Sequence, residues 1–182
     1  MTARPARADD AAAIARIYNE GIADRLATFE TRPRDADDVR AWLAEGFPVV
    51  VVERGGRVAA WASAPPYRAR DAYWGVREFS VYVTREARGG GLGRAAMEAL
   101  IAECERRGYW KLVSRVFPEN EASRALCRAL GFREVGVYRR HARLDGEWRD
   151  CVIVERLLAL ASGSTRRRRP PRSGSASGSA GP

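Results

Sequence analysis

The sequence has few of the residues that bind metals or form disulfides. Its 182 residues include one histidine and three cysteines, and Cys104, Cys127 and Cys151 lie far apart without a C-x-x-C pair. A zinc site needs about four ligands at close spacing, and a disulfide framework needs an even number of cysteines. We therefore predict no metal and no disulfide. Free cysteines are typical of a reducing compartment, which favours a cytoplasmic protein.

Long hydrophobic stretches are also missing. The longest aliphatic run is Val49–Val52, whereas a membrane-spanning helix needs roughly 20 apolar residues. Residues 1–10, MTARPARADD, contain no apolar segment of the kind found in signal peptides. The sequence thus predicts a protein that has no membrane partner.

Lysine is nearly absent, because Lys111 is the only one among 32 basic residues. The net charge of +9 would suit a nucleic-acid-binding protein. Five arginines, however, lie in residues 162–182, a stretch rich in serine, glycine and arginine that has no carboxylate and no large apolar side chain. Such a composition predicts a disordered tail. With these five taken from the nine, the domain at 1–161 carries only +4, which argues against a nucleic-acid partner.

Apolar periodicity predicts both helices and strands in residues 1–161. Helical spacing predicts four helices, whose apolar stripes include Ile14, Val39, Leu92 and Leu126. Alternation and turn residues predict strands at 2–6, 49–53, 57–63, 78–83, 111–117, 132–140 and 148–157. The interleaved order indicates a single α+β domain, in which helices flank a mixed, mostly antiparallel sheet.

Residues 88–94, RGGGLGR, form a glycine-rich segment between a predicted strand and the clearest predicted helix. Glycines allow successive backbone N–H groups to converge, and a helix N-terminus adds positive potential at the same point. This placement predicts an anion site that suits a diphosphate.

Three phosphate-loop patterns are candidates for this segment. A Walker loop ends in G-K-[ST], which is missing here. A dinucleotide-binding fold needs a tight turn straight after the strand and an acid at the end of the next strand. Here residues 84–87 intervene, and the strand at 111–117 ends in Phe-Pro. The third pattern, R/Q-x-x-G-x-G/A, is met by Arg88, Gly91 and Gly93.

The third pattern is that of the diphosphate loop of the GNAT N-acetyltransferases, and residues 2–158 resemble this superfamily. Within it, the chain looks most like the phosphinothricin and arsinothricin N-acetyltransferases. The matching segments are YRARDAY (67–73), EFSVYV (78–83), FPENEAS (117–123), LGF (130–132) and DGEWRD (145–150). The similarity to the arsinothricin branch is closer through FPEN (117–120), GVYR (136–139) and VIVER (152–156).

The resemblance implies a GNAT-type domain whose central strand pair, at 81–83 and 111–117, splays apart to admit acetyl-CoA. Main-chain groups would bond the pantetheine arm, and the glycine loop would bind the diphosphate. The implied cofactor contacts are Val81, Tyr82, Val83, Arg88, Gly89, Gly90, Gly91, Leu92, Gly93, Arg94 and Asn120. For Asn120, a helix cap is an equally good and compatible role.

Acetyl transfer to an amine requires a neutral nitrogen, and a carboxylate that removes the proton contributes about 10²–10⁴ in rate. Glu78 begins the predicted cofactor strand and matches the basic glutamate proposed for the phosphinothricin enzymes. Many relatives place a proton-donating tyrosine where this chain has Cys127, so direct departure of the thiolate with oxyanion stabilisation stays open. The late-turn histidine of the phosphinothricin enzymes corresponds to Asp145, and its role is not carried over.

A phosphinate or arsenic amino acid is anionic, so its pocket needs fixed cations. Arg68 and Arg70, at positions i and i+2, are predicted to bind it through paired N–H groups, and Arg70 matches an arginine in both sister groups. Phe29 and Tyr73 are candidate pocket walls, although a core role is equally open for Phe29. His141, the only histidine, lies on a nearby predicted strand and is a further pocket candidate.

These features favour an N-acetyltransferase that acetylates the α-amino group of arsinothricin or phosphinothricin and confers resistance to it. One alternative substrate is another small amine, such as methionine sulfoximine. Another alternative is a non-catalytic acetyl-CoA sensor or a nucleic-acid-binding module of the same fold, against which Glu78 and the modest domain charge argue. The resemblance also implies a homodimer.

Overall fold

The computed structural model describes residues 1–159, and the predicted tail at 162–182 lies outside them. Twelve strands and helices follow one another close to the predicted positions. They are β1 (Thr2–Pro5), α1 (Ala11–Asp24), α2 (Ala36–Ala44), β2 (Val49–Arg54), β3 (Arg57–Ser63), β4 (Val76–Glu78), β5 (Ser80–Val83), α3 (Leu92–Arg106), β6 (Lys111–Val116), α4 (Glu121–Ala129), β7 (Arg133–Leu144) and β8 (Glu147–Leu157).

Two four-stranded sheets form the centre of the fold. The first has the order β1-β2-β3-β5 with antiparallel pairs throughout. The second has the order β4-β6-β8-β7, in which only β4 and β6 run parallel. The predicted α+β class with mostly antiparallel strands is confirmed. The prediction of one strand over 78–83 is wrong, because β4 and β5 belong to different sheets.

Phe79 is the point at which the chain changes sheets. Its N–H still donates to the carbonyl of Val113 in β6, with an N···O distance of 2.9 Å, but from Ser80 onward the chain pairs with β3. β6 meanwhile continues beside β8 as far as Val116. The strands β5 and β6 therefore splay apart beyond Phe79, as the resemblance implies, and no strand of residues 1–159 pairs with the edge of β5 that faces β6.

Buried side chains cover both faces of the first sheet. α3 packs over β2 and β3, with Leu100 fully buried between them. α1 covers the opposite face, where Tyr18 meets the rings of Trp61 and Tyr82 edge to face. This close approach depends on Gly21 of α1, because a Cβ at that position would lie 2.7 Å from the ring of Tyr82. Helices thus flank the sheet on both sides, as predicted.

All three cysteines are buried and form no disulfide. Removal from water raises the pKa of Cys104 to about 12 and that of Cys127 to about 11, and it raises the pKa of Cys151 as well. Cys127 packs in the apolar cluster beneath α3, so its thiol is a neutral core group.

Residues 1–159 contain neither a cluster of metal-binding side chains nor a membrane-spanning helix. Within residues 1–159, no three His, Cys, Asp or Glu side chains come together in a way that would hold a metal ion. None of the helices in this range is long and apolar enough to cross a bilayer.

Candidate active site

The glycine segment forms a loop between β5 and α3. Gly89 and Gly91 have φ values of +77° and +80°, in the left-handed region that favours glycine. α3 begins at Leu92 with Gly91 as its N-cap, and no side chain caps its first turn. The N–H groups of Leu92, Gly93 and Arg94 are therefore free to bind an anion at the positive end of the helix.

Gly93 brings the start of α3 close to two neighbouring elements. A Cβ at this position would lie 3.4 Å from Val83 and 3.5 Å from Leu126 of α4. These are ordinary van der Waals distances, so an alanine would fit at this position and would fill the space between Val83 and Leu126. Arg94, the next residue, pairs with Glu98 one turn along the helix, with Nε 2.9 Å from Oε1. The position of the loop is thus set by close contacts with β5 and α4.

Arg88 fastens the loop to the rest of the domain. Its Nε donates to the carbonyl of Val83 at 3.2 Å, and its Nη2 lies 2.7 Å from Oδ2 of Asp24 in α1. Hydrogen bonds from Arg85, and then from Arg88, hold the pKa of Asp24 below its usual range. The Arg88 side chain therefore braces the loop, and its direct contact with a diphosphate stays a prediction.

The open edge of β5 presents main-chain groups to the gap beside β6. Thr84 donates its N–H to a carbonyl of β3 at 2.9 Å, and Tyr82 lies opposite Trp61 in the same register. Hydrogen-bonded positions alternate along an antiparallel pair, so Tyr82 bonds to β3 while Val81 and Val83 face the gap. Of the three predicted pantetheine contacts, the structure places the main chain of Val81 and Val83 at the gap and that of Tyr82 against β3.

Asn120 begins α4 and acts as its N-cap. Its Oδ1 accepts the N–H of Ser123 at 3.1 Å, so the predicted helix cap is confirmed. Its Nδ2 donates to the carbonyl of Leu26 at 3.0 Å, which ties the start of α4 to the segment that follows α1. These bonds do not involve a cofactor, and the predicted contact of Asn120 with acetyl-CoA stays a prediction.

Glu78 lies at the closed end of the gap. It ends β4 one residue before Phe79 and lies opposite Val113 of β6. Arg115 is two residues further along β6 on the same face, and its Nε and Nη2 both donate to Oε1 of Glu78, the Nε at 2.9 Å. In residues 1–159 no group bonds to Oε2, and a quarter of the Glu78 side chain is exposed.

No local pattern in the sequence marks Arg115 as a site residue. It is one of 31 arginines, and it reaches Glu78 across 37 positions of the chain. Only the parallel pairing of β4 with β6 brings the two residues together. Arg115 could have been identified as a neighbour of Glu78 only from the pairing of residues between β4 and β6. The alternation of residues within a single strand does not reveal that pairing.

A bulge in β7 directs His141 toward the same guanidinium. Tyr138 lies opposite Cys151, but Ala142 lies opposite Arg149, so β7 has two extra residues here. Arg140 takes a φ of +48°, and its N–H donates to the carboxylate of Asp150 at 2.7 Å. Bulges of this kind change the direction of a side chain.

The ring of His141 lies close to Arg115, to Tyr138 and to the predicted site residue Phe29. Its Nε2 is 3.5 Å from Nη1 of Arg115, and its centre is 5.2 Å from that of Tyr138 and 6.5 Å from that of Phe29. Phe29 also packs edge to face against Phe117, with ring centres 4.9 Å apart. Phe29 therefore packs against a small buried cluster, and its part as a wall of the substrate pocket stays a prediction.

Arg68 and Tyr73 lie in the loop before β4 and contact each other through Tyr67. The guanidinium of Arg68 lies over the ring of Tyr67, which meets the ring of Tyr73 edge to face. The pKa of Arg68 is raised, first through a hydrogen bond with Tyr67 and further through the phenols of Tyr73 and Tyr138. Tyr138 itself packs beside His141, and the part of Arg68 and Tyr73 in binding a substrate stays a prediction.

Arg70 differs from Arg68 in its contacts. It stands at the start of the single helical turn Asp71–Tyr73, and its carbonyl accepts the N–H of Tyr73. Its side chain is exposed, and within residues 1–159 its guanidinium forms no hydrogen bond or ion pair. Its part in binding an anion stays a prediction.

These elements define one continuous site. The uncapped start of α3 is suited to a diphosphate, and the edge of β5 can extend a chain of hydrogen bonds along the gap. At the closed end of the gap Glu78 pairs with Arg115, which lies next to His141, and the rings of Phe29 and Tyr138 lie beside His141. The residues present thus fit acetyl-CoA together with a small polar substrate.

The match with known proteins agrees with this arrangement. Residues 14–132 match the Acetyltransferase (GNAT) family. The chain belongs to this family, whose fold it shares, and the resemblance found in the sequence is confirmed.

Several relatives show which members of the family are similar. The phosphinothricin N-acetyltransferase of Alcaligenes faecalis is 38% identical over 86% of this chain and 82% of its own length. An L-methionine sulfoximine/L-methionine sulfone acetyltransferase of Salmonella typhimurium is 34% identical over 85% of this chain and 93% of its own length. A phosphinothricin acetyltransferase from Sinorhizobium meliloti, solved with acetyl-CoA, is 30% identical with a TM-score of 0.84 and covers 94% of this chain and 96% of that one.

Proposed function

We propose that the chain transfers the acetyl group of acetyl-CoA to the α-amino group of a glutamate-like amino acid that carries a phosphinate or arsenic acid group. Phosphinothricin and arsinothricin are the substrates proposed, and acetylation would confer resistance to them. The observation that carries this proposal is the position of Glu78 at the closed end of a gap whose open end leads to the glycine loop.

Glu78 is proposed as the general base of this reaction. The α-amino group of an amino acid is largely protonated at neutral pH, and Oε2 of Glu78 has room to accept one of its protons. The freed nitrogen bonds to the acetyl carbon, the carbon–sulfur bond breaks, and its electron pair leaves on the thiolate. The second proton lost by the nitrogen neutralises that thiolate through solvent. Cys127 is buried with a raised pKa and plays no part in this step.

The cofactor is proposed to lie along the gap. Main-chain groups of Val81 and Val83 would bond the pantetheine arm. The N–H groups of Gly89 and of residues 91–94 would bind the diphosphate, whereas the N–H of Gly90 already donates to the carbonyl of Ala87. Asn120 would add a contact from the start of α4, where its side chain already has a fixed orientation. Acetyl-CoA supplies the reactive thioester, and the residues named here hold it beside Glu78.

The acidic end of the substrate is assigned to the loop that precedes β4. Arg68 and Arg70 supply cations there, and Tyr73 and Phe29 supply ring surfaces. The relative from Alcaligenes faecalis, which is named for phosphinothricin, supports this choice. The relative named for methionine sulfoximine is nearly as similar, so that compound is the second candidate substrate.

A thiol-release assay with acetyl-CoA tests the proposed function. We expect release of CoA that depends on added arsinothricin or phosphinothricin, and a kcat/KM for these two above that for methionine sulfoximine. Mass spectrometry of the product should show one added acetyl group on the amine. A higher kcat/KM with methionine sulfoximine would favour the second candidate. Release that does not depend on any of the three amino acids would refute the proposal.

Replacement of Arg70 by alanine should weaken binding of the anionic amino acid alone. A charged hydrogen bond of this kind is worth about 1.5–3 kcal/mol, so we expect KM for phosphinothricin to rise about 10- to 100-fold. KM for acetyl-CoA should stay unchanged. The matched control is Arg57→Ala, an exposed arginine at the start of β3 on the other sheet. If KM for both substrates rises together, Arg70 does not belong to the amino-acid pocket.

A further inference from the structure

We infer that Arg115 binds the α-carboxylate of the substrate and that this contact releases Glu78 to act as the base. The inference deepens the proposed function and rests on it, because it takes the substrate amine to lie beside Glu78. It gives a role to a residue that neither the sequence pattern nor the similarity to other proteins marks.

The geometry of the pair in the free protein leads to this assignment. A bidentate arginine–carboxylate pair uses both carboxylate oxygens. Here two nitrogens of Arg115 converge on the single oxygen Oε1 of Glu78, and Oε2 accepts no bond in residues 1–159. Arg115 therefore has two donors that could bind both oxygens of a carboxylate. Glu78 does not form such a bidentate pair, because it uses only one of its oxygens.

The position of Arg115 matches the chemistry of an α-amino acid. The amine and the carboxylate share one carbon atom, so a group that binds the carboxylate must stand next to the base that takes the proton. Arg115 is the guanidinium bonded to Glu78. Arg68 lies over the ring of Tyr67 in the loop before β4, and the proposed function assigns it to the acidic end of the side chain.

The surroundings of Arg115 allow a change of partner. Nearly half of its side chain is exposed (46%), so a ligand can reach it. Nη1 faces Nε2 of His141, whose direction is fixed by the bulge at Arg140, so the guanidinium has support on one side when Glu78 leaves. A substrate carboxylate would take the Nε and Nη2 donors, and Oε1 of Glu78 would lose both of its hydrogen bonds.

A pair of substrates that differ only at the α-carboxylate tests this role. L-Methionine sulfone and its α-carboxamide have the same amine and side chain, and kcat/KM is measured for both across the same pH range. In Arg115→Gln we expect kcat/KM for the amino acid to fall about 10- to 100-fold. The value for the carboxamide should stay unchanged or rise, because that substrate has no carboxylate to bind and Glu78 is no longer paired.

Two further variants separate this role from a structural one. Arg115→Lys should show part of the preference for the amino acid that Arg115→Gln loses. Lysine keeps the positive charge but lacks the two parallel N–H donors of the guanidinium. Arg143→Gln, an exposed arginine of β7 stacked on Trp148, should leave the preference unchanged. Equal losses with both substrates in Arg115→Gln would overturn the inference and leave the proposed function intact.

Binding measurements distinguish failure of the inference from failure of the proposed reaction. If the wild type acetylates none of the amino acids, calorimetry of the enzyme–CoA complex with both compounds still decides the role of Arg115. Tighter binding of the amino acid than of the carboxamide, lost in Arg115→Gln, would support the carboxylate contact while the proposed reaction fails. Equal binding of the two compounds by the wild type would overturn the inference.

Discussion

Replacement of Glu78 by glutamine should lower kcat about 10²- to 10⁴-fold at neutral pH, the usual contribution of a positioned general base. The amide is close to the carboxylate in size and can still accept a hydrogen bond from Arg115, so the shape of the site is kept. What it loses is the capacity to take a proton from the substrate ammonium. KM for acetyl-CoA should change little, because Glu78 lies at the end of the gap opposite to the glycine loop.

The pH dependence gives the sharper test of Glu78. As pH rises, more of the substrate amine is neutral without help, so the deficit of Glu78→Gln should shrink steadily toward alkaline pH. The matched control is Glu147→Gln at the exposed start of β8, which should behave like the wild type. A deficit of the same size at every pH would show that Glu78 does not act as the base.

Replacement of Gly91 by valine should raise KM for acetyl-CoA about tenfold or more while leaving KM for the amino acid nearly unchanged. Gly91 has a φ of +80° and directly precedes α3. A left-handed conformation costs other residues about 1–2 kcal/mol, and a β-branched residue tolerates it least. The loop would relax out of this conformation and turn the converging N–H groups away from the diphosphate.

The fold offers a matched control for this strain. Gly46, which follows α2, has a φ of +76°, and a Cβ at either glycine would meet nothing within 4 Å. Gly46→Val and Gly91→Val should therefore lower the free energy of unfolding by similar amounts, and only the second should weaken acetyl-CoA binding. If KM for acetyl-CoA rises equally in both variants, the cause is general destabilisation of the fold. That result would contradict the assignment of residues 88–94 as a diphosphate loop.

Local signals in the sequence were sufficient for the elements that local chemistry determines. The glycine loop, the helix that starts at Leu92 and the cap at Asn120 each depend on residues within a few positions of one another. The turn at Asp145-Gly146, in which both residues have positive φ, is of the same kind. These features were predicted because the residues that form them are also neighbours in sequence.

Pairings between distant segments could not be predicted in this way. Residues 78–83 alternate without interruption, so nothing in them shows that the partner changes from β6 to β3 at Phe79. The bulge that turns His141 inward depends on the register between β7 and β8. Asp10, which directly precedes α1, makes no capping bond to that helix, because its carboxylate bonds to the distant side chain of Arg4 and to the N–H of Arg7.

Because the three cysteines are buried, we expect the folded protein not to react with thiol-specific reagents. Such reagents react with exposed thiolates, and Cys104, Cys127 and Cys151 are buried and protonated at neutral pH. In a thiol-release assay with a chromogenic reagent, the signal from the folded protein therefore comes from released CoA alone. An unfolded chain would add three reactive thiols, so the background of the same assay reports how much of a variant has lost its fold.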